Sequence, residues 1–317
     1  RDASRPTAVG VTLDPSGERF VGGRLNLWQG YGVAPDELSS WPLLRRHIDE
    51  VVCAGNIDHA DYLLRWIAWS LQNPTKPAEV VVVLRGRKGT GKGMLGRALA
   101  RIFGAHALQI SDRKHLVGSF NAHLLQVCFL FADEAFWPGD KSAEGALKRM
   151  ITEPTLFVEP KGLDGFEVSN RLSIMMTSNE KWVVPASSDE RRYVVFDVAD
   201  TRRKDFAYFD ALKAEIEGEG LQGFLYDMLE MDLGGWHPRQ DVPETIGLAE
   251  QQAESASPMV NWLGTILEEG ALPFGLRDAN GNHLNIVHPH DPALARPSLL
   301  LQAARNTDRR LVHSSDV

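Results

Sequence analysis

Covalent cross-linking has almost no material in this chain of 317 residues, which holds two cysteines, Cys53 and Cys128. They are far apart, and Cys128 sits in an apolar run that reads as a buried strand. A disulfide framework and a cysteine-based zinc site are both excluded. No apolar run approaches the roughly 20 residues needed to cross a bilayer, and the opening RDASRPTAVG lacks the apolar stretch of a signal peptide. The expected setting is the cytoplasm, with no membrane partner. The chain begins on Arg1 rather than Met, so either a processed tag or, the expected case, a piece cut from a longer polypeptide accounts for its start. Internal repeats and low-complexity tracts are also lacking. Nor is there an excess of positive charge: the formal net charge is -8. That excludes a surface coated in basic residues for wrapping nucleic acid, but not a local basic groove.

What is present is an ordinary globular composition, 43% hydrophobic and 24% charged. The positive charge is concentrated. Between Val80 and Asn121 lie Arg85, Arg87, Lys88, Lys92, Arg97, Arg101, Arg113 and Lys114, against the single acid Asp112.

The patterning divides the chain into three. Residues 1–75 open with two expected short strands between Val11 and Trp28, joined by a turn at Asp14 to Gly17, followed by helices from Pro42 to Ala54 and from Asp58 to Gln72. Asp58 is the expected cap of the second helix. Trp28, Trp41, Trp66 and Trp69 read as core or subunit-contact residues. Residues 76–200 alternate apolar runs with helical stretches: Val80 to Leu84, Val127 to Ala132, Leu172 to Thr177 and Tyr193 to Val198 as strands, Lys92 to Phe103 and Ser142 to Thr152 as helices. Alternation of this kind implies an α/β domain of three layers around a mostly parallel sheet. A hairpin is expected over Thr155 to Val168, turning at Asp164-Gly165. Residues 201–317 read as helical from Lys204 to Gly218, Leu221 to Met231 and Pro243 to Glu269, then become weakly patterned. The histidines His283, His288 and His290 there read as a solvated loop rather than a metal site.

Four motifs carry chemistry. GRKGTGKG, from Gly86 to Gly93, satisfies seven positions of G-x-x-x-x-G-K-[ST] between a buried strand and a helix. Its backbone N–H groups, with Met94 at the helix start, suit the phosphates of ATP. The expected nucleotide-binding set is Gly86, Arg87, Lys88, Gly89, Thr90, Gly91, Lys92, Gly93 and Met94, with Lys92 neutralising the β- and γ-phosphates. Gly93 replaces the Ser or Thr whose hydroxyl normally touches Mg²⁺. Either water takes that place, which Mg²⁺ tolerates, or the site binds nucleotide and hydrolyses it poorly.

CFLFADE, Cys128 to Glu134, is an apolar strand ending in two acids. Phosphoryl transfer to water needs one carboxylate for the hydrated Mg²⁺ and another to orient the attacking water. Asp133 suits the first role and Glu134 the second. SIMMTSNE, Ser173 to Glu180, presents Asn179 at a strand tip, within reach of the γ-phosphate. In DERR, Asp189 to Arg192, Arg191 and Arg192 precede a strand and suit either an arginine finger reaching into a neighbour's site or a surface ion pair with Asp189 or Glu190.

With these elements in this order, the stretch from about Glu79 to Val198 resembles the superfamily 3 helicases, the AAA+ motors of small DNA viruses, phages and plasmids, and in style the helicase part of phage primase-helicases. The resemblance implies an AAA+ P-loop domain and an ATP- and Mg²⁺-dependent DNA helicase acting in phage or plasmid replication, in the cytoplasm of a bacterial host. It implies a ring, generally a hexamer, moving on single-stranded or forked DNA, with a primase or polymerase as a further domain or partner. The helices before Pro74 match the oligomerisation bundle of such proteins, and the C-terminal region a winged-helix-like DNA contact. LKRMIT, Leu147 to Thr152, and the hairpin after it match the extra motif whose basic residues grip DNA. Lys161 is the candidate carried over, with Lys148 in support. Two other readings stand beside this one: an AAA+ loader or remodeller of a protein partner, and a replication scaffold that holds nucleotide without hydrolysing it.

Overall fold

The computed structural model describes residues 9–110, 122–134, 141–159, 161–162, 164–186 and 190–255. Residues up to Gln251 form one compact unit; of the second, Gln252–Val317, only the last turn of a helix is described. The expected helical extension to Glu269 and the winged-helix-like region lie outside the described residues.

The centre is a five-stranded sheet built from β4 (Val81–Arg85), β5 (Ala107–Ile110), β6 (Phe129–Ala132), β9 (Ser173–Ser178) and β10 (Tyr193–Asp197). Its order is β10-β4-β9-β6-β5 and every pairing is parallel. These strands are continuous apolar runs because both faces are covered. The alternation shows it: Val82, Leu84, Phe129, Phe131, Met175, Val194 and Phe196 enter one core, while Val81, Val83, Leu130, Ile174, Met176, Tyr193 and Val195 enter another. Each fully buried side chain of this kind contributes about 1.5–3 kcal/mol.

The first core is closed by α1 (Pro42–Arg46), which continues as a wider π-helical turn (His47–Val52), and by α2 (Ile57–Gln72) and α3 (Lys92–Phe103). Two helices from much later in the sequence, α5 (Phe206–Glu217) and α6 (Gly220–Glu230), complete it. Trp41, Trp66 and Trp69 are buried there, as core tryptophans. Trp41 lacks a capping side chain for α1, so Glu215 of α5 takes that role, accepting from Leu43 N at 2.9 Å and Leu44 N at 2.7 Å. The second core lies under α4 (Lys141–Thr152), the hairpin β7 (Thr155–Val158) and β8 (Phe166–Ser169), and Leu248 of α7 (Ile246–Ser255).

Several expectations need local correction. The opening holds three strands, β1 (Val11–Thr12), β2 (Phe20–Val21) and β3 (Arg24–Asn26), and β1 pairs parallel to β3 instead of forming a hairpin with β2. The hairpin turns at Gly22-Gly23, where both residues have positive φ, a conformation glycine adopts without steric cost. The Asp14 turn exists, with its carboxylate accepting from Ser16 N at 2.9 Å, but it joins strands that do not pair. Asn56, not Asp58, caps α2: its backbone is extended and its side chain accepts from His59 N. In the β7–β8 hairpin Val158 pairs with Phe166, which leaves residues 159–165 as the connection. Among the described residues of that connection the left-handed one is Gly162, and with Val158 opposite Phe166 the pair Asp164-Gly165 is not a two-residue turn. Strand β5, short and at the sheet edge, had no signal strong enough to be anticipated.

Candidate functional site

Ligand crevices in open parallel sheets form beyond the carboxyl ends of strands, where neighbouring connections depart in opposite directions. Strand β4 is such a place. Its chain leaves through α3 to the far edge strand β5, while β10 closes its other side. The segment Gly86 to Gly91 turns there, with Gly89 and Gly91 at φ of 80° and 87°, and Gly91 is the cap of α3. A cleft of about 420 Å³ opens above it, lined by Lys88, Gly89, Gly91, Lys92, Gly93, Met94, Arg97, Asp133, Glu134, Asn179 and Phe209.

Four of the expected catalytic residues therefore share one cavity, although three different strand ends supply them. Lys92 is only 8% exposed, and its ammonium donates to Asn179 Oδ1 at 2.5 Å and to the Arg87 carbonyl at 3.2 Å. Burial pulls its amine below the ordinary lysine value and Lys88 pulls the same way, while Asp133 and Glu134 oppose them. Asp133 and Glu134 follow β6, next to β9 and to Asn179, which follows β9 directly. Glu134 adopts a φ of 58°, a strained conformation for a residue with a side chain.

The remaining candidates fall elsewhere. Gly86, Arg87 and Thr90 shape the loop without lining the cleft: Gly86 N donates to Ser178 O at 3.1 Å, and the buried Thr90 hydroxyl donates to the Arg87 carbonyl. Arg191 and Arg192 precede β10, whose first residue, Tyr193, stands beside Val81 at the start of β4. They lie at the opposite end of the sheet, roughly 15 Å from the loop at about 3.3 Å per residue. Arg192 is paired with the buried carboxylate of Glu190 at 3.0 Å, while Arg191 is exposed. Lys161 is exposed on the hairpin connection and Lys148 lies on α4, neither in the cleft.

Sequence reasoning missed four residues here. Thr177, buried on β9, donates its hydroxyl to Asp133 Oδ1 and accepts from Glu134 N at 3.2 Å. Arg97 Nη1 stands 3.2 Å from Asp133 Oδ2; its position four residues after Gly93 on a helix was the available signal. His47 and Phe209 come from distant helices and had none. His47 is fully buried beneath the loop, its Nε2 3.2 Å from the Gly91 carbonyl and its Nδ1 3.0 Å from the Tyr208 hydroxyl. Since a carbonyl only accepts, Nε2 carries the proton and Tyr208 donates to Nδ1. Burial lowers the His47 pKa to about 4, which keeps the ring neutral.

As a metal site the cleft offers little. Among the described residues no group of three or more His, Cys, Asp or Glu could hold an ion. The donor set fits a magnesium held through Asp133, water and phosphate oxygens, and does not fit one held by a loop hydroxyl.

The comparisons with known proteins concern this same region. A family of unknown function (DUF5906) matches residues 84–192, the stretch from β4 to the residue before β10. The DNA primase-polymerase of Nitratiruptor phage NrS-1 is 28% identical over 137 residues, which are 42% of this chain and 19% of that protein. The chain thus spans about a fifth of that relative's length. Two apo structures of the NrS-1 C-terminal region superpose with a TM-score of 0.65, at 20% and 19% identity, over 83% of this chain and 68% and 65% of theirs. Over most of its length the chain has the fold of the NrS-1 C-terminal region.

Proposed function

We propose that this chain is an ATP-hydrolysing motor of the superfamily 3, AAA+ P-loop type that drives DNA through a ring during phage or plasmid replication. The observation that carries this reading is the convergence of Lys92, Asp133, Glu134 and Asn179 in one cleft at the carboxyl ends of parallel strands. The N–H groups of Gly89, Gly91, Lys92 and Gly93 receive the phosphates at the positive end of α3. Lys92 holds the β- and γ-phosphate oxygens, and Asn179, already in contact with Lys92, steers it and the γ-phosphate. Glu134 takes the proton of the attacking water. Asp133 is the residue that would hold Mg²⁺, and the ion would supply charge neutralisation of the phosphates when bound.

Arg191 fits a finger acting in trans, because it is exposed and lies a sheet length from its own cleft. Such a geometry needs a neighbour, hence a ring, with a hexamer as the proposed size. Lys161, exposed on the β7–β8 connection, is the proposed DNA contact, and Lys148 its support. The similarity to a primase-polymerase supports replication as the setting and a primase or polymerase as the companion activity.

The test is phosphate release from ATP, measured with and without single-stranded DNA on protein whose mass is followed by light scattering. Turnover stimulated by DNA, and abolished in Lys92→Ala and Glu134→Gln, is expected. Unchanged turnover in Lys92→Ala would overturn the site.

A further inference from the structure

The missing hydroxyl at Gly93 is not simply a gap. A Cβ built on Gly93 would stand 2.6 Å from Arg97 Nη1 and 3.2–3.3 Å from the rest of the guanidinium. That contact is closer than packed atoms allow, so a side chain at 93 would shift the guanidinium, the mobile end of a half-exposed side chain. The guanidinium therefore occupies the space where a loop Ser or Thr would point, and from there it reaches Asp133 Oδ2 at 3.2 Å. Glycine at 93 and arginine at 97, one helical turn apart on the cleft side of α3, thus put a cation where a hydroxyl would otherwise stand.

Resting on the reading that this cleft binds ATP, we propose that Arg97 is a phosphate-binding residue which, with Lys92, neutralises the β- and γ-phosphates in the ground state, so that nucleotide binding does not depend on a divalent cation. Three observations support this. Arg97 lines the cleft with Lys92 and Lys88, whereas its acids are Asp133 and Glu134. In the nucleotide-free site the guanidinium already partners one oxygen of Asp133 and the Thr177 hydroxyl the other, and Gly93 offers a dication no hydroxyl, so the protein's own cation is in place before any Mg²⁺ arrives. Arg97 is also half exposed, so its head can exchange the carboxylate for a phosphate, a partner of the same forked geometry. Hydrolysis, which concentrates further charge on the transferring group, keeps its need for Mg²⁺. Binding and turnover thereby acquire separate cation requirements.

The experiment is calorimetric titration of ATP into wild type, Arg97→Ala, Arg97→Lys, Lys92→Ala and the double variant Gly93→Ser/Arg97→Ala, each in excess EDTA and in Mg²⁺. Wild type is expected to change affinity by less than about threefold between the two buffers. Arg97→Ala should weaken by about tenfold or more in EDTA, as for loss of one charge-assisted phosphate contact, and recover partly in Mg²⁺. Arg97→Lys should lie between. The double variant, with its hydroxyl restored and its cation removed, should bind well only with Mg²⁺. If wild type binds only with Mg²⁺, or Arg97→Ala binds as tightly as wild type in EDTA, Arg97 is an ion pair of Asp133 and nothing more. If Lys92→Ala binds like wild type in both buffers, the ATP site itself falls, a distinct result. Thermal unfolding of each variant separates a lost contact from a lost fold, and Arg97→Gln, which keeps the side-chain length, replaces Arg97→Ala if the latter unfolds.

Discussion

The Thr177 hydroxyl donates to Asp133 Oδ1 across 2.6 Å, from the neighbouring strand and with no exposure to solvent. The Thr177 hydroxyl oxygen also accepts from the Glu134 amide, so one side chain orients the first acid and holds the strained backbone of the second. Thr177→Val keeps the shape and removes both bonds. It should lower stability by about 1–2 kcal/mol in urea unfolding, since the part-buried Glu134 amide and the Asp133 carboxylate each lose a partner, and reduce kcat for ATP more than it changes KM. Thr177→Ser should restore most of kcat.

Arg191 and Arg192 should separate cleanly. Arg192→Ala strands the buried Glu190 carboxylate and is expected to cost about 2–3 kcal/mol in unfolding experiments, softened by the two backbone N–H groups that still reach Glu190. Arg191→Ala should leave stability unchanged and reduce turnover. Mixed with Glu134→Gln protein, which keeps its own finger, it should regain partial ATPase activity; no regain at any mixing ratio would remove the trans role.

His47 gives a pH dependence of definite sign. Its folded pKa of about 4 lies below the ordinary histidine value because burial disfavours the charged ring. The unfolded chain therefore binds the proton first, and the stabilisation is complete above about pH 6.5 and lost as pH falls towards 4. Between pH 6.5 and 5 the wild type should lose about 2 kcal/mol from this group. His47→Gln should lack that component of the slope in chemical unfolding, while starting less stable at neutral pH.

Gly96 faces the Phe131 ring, and a Cβ there would meet it at 2.2 Å. Gly96→Ala gains about 1 kcal/mol of helix propensity but forces α3 off β6, at about 1–3 kcal/mol or more. The clash should win: a lower Tm, and weaker ATP binding because the start of α3 moves with it.

Lys161→Ala should weaken single-stranded DNA binding, with a shallower dependence of affinity on salt, while leaving ATP affinity unaltered. Equal salt slopes for the two proteins would remove Lys161 from the DNA path.

The sheet was legible where the residues left little choice. Val80 to Leu84, a β-branched apolar run of strand length, reads as a strand buried on both faces, and glycines followed by an amphipathic stretch read as a turn into a helix. Gly104 closed that helix as expected. Short pieces were not legible: β5 holds four residues with Gln109 among them, and pairing decides it, not pattern. The opening strands failed for a related reason, because parallel pairing of β1 with β3 is a long-range choice that a local turn signal cannot report. In the site, the loop and strand-end residues were readable because each sits where a strand stops. Thr177 was hidden inside an apolar run, and His47 reaches Gly91 across 44 positions of sequence.

That separation in sequence governs how the chain must be made. Trp41 donates to Asp227 and Tyr62 to the Pro238 carbonyl, contacts spanning 186 and 176 residues. During synthesis the first two helices emerge long before α5 and α6, which cover them, have been translated. Until then their tryptophans and leucines face water, and loop closure over such distances is slow. The nascent chain therefore passes through a long interval in which a chaperone, or a neighbouring copy, competes with its own later helices for the same apolar surface.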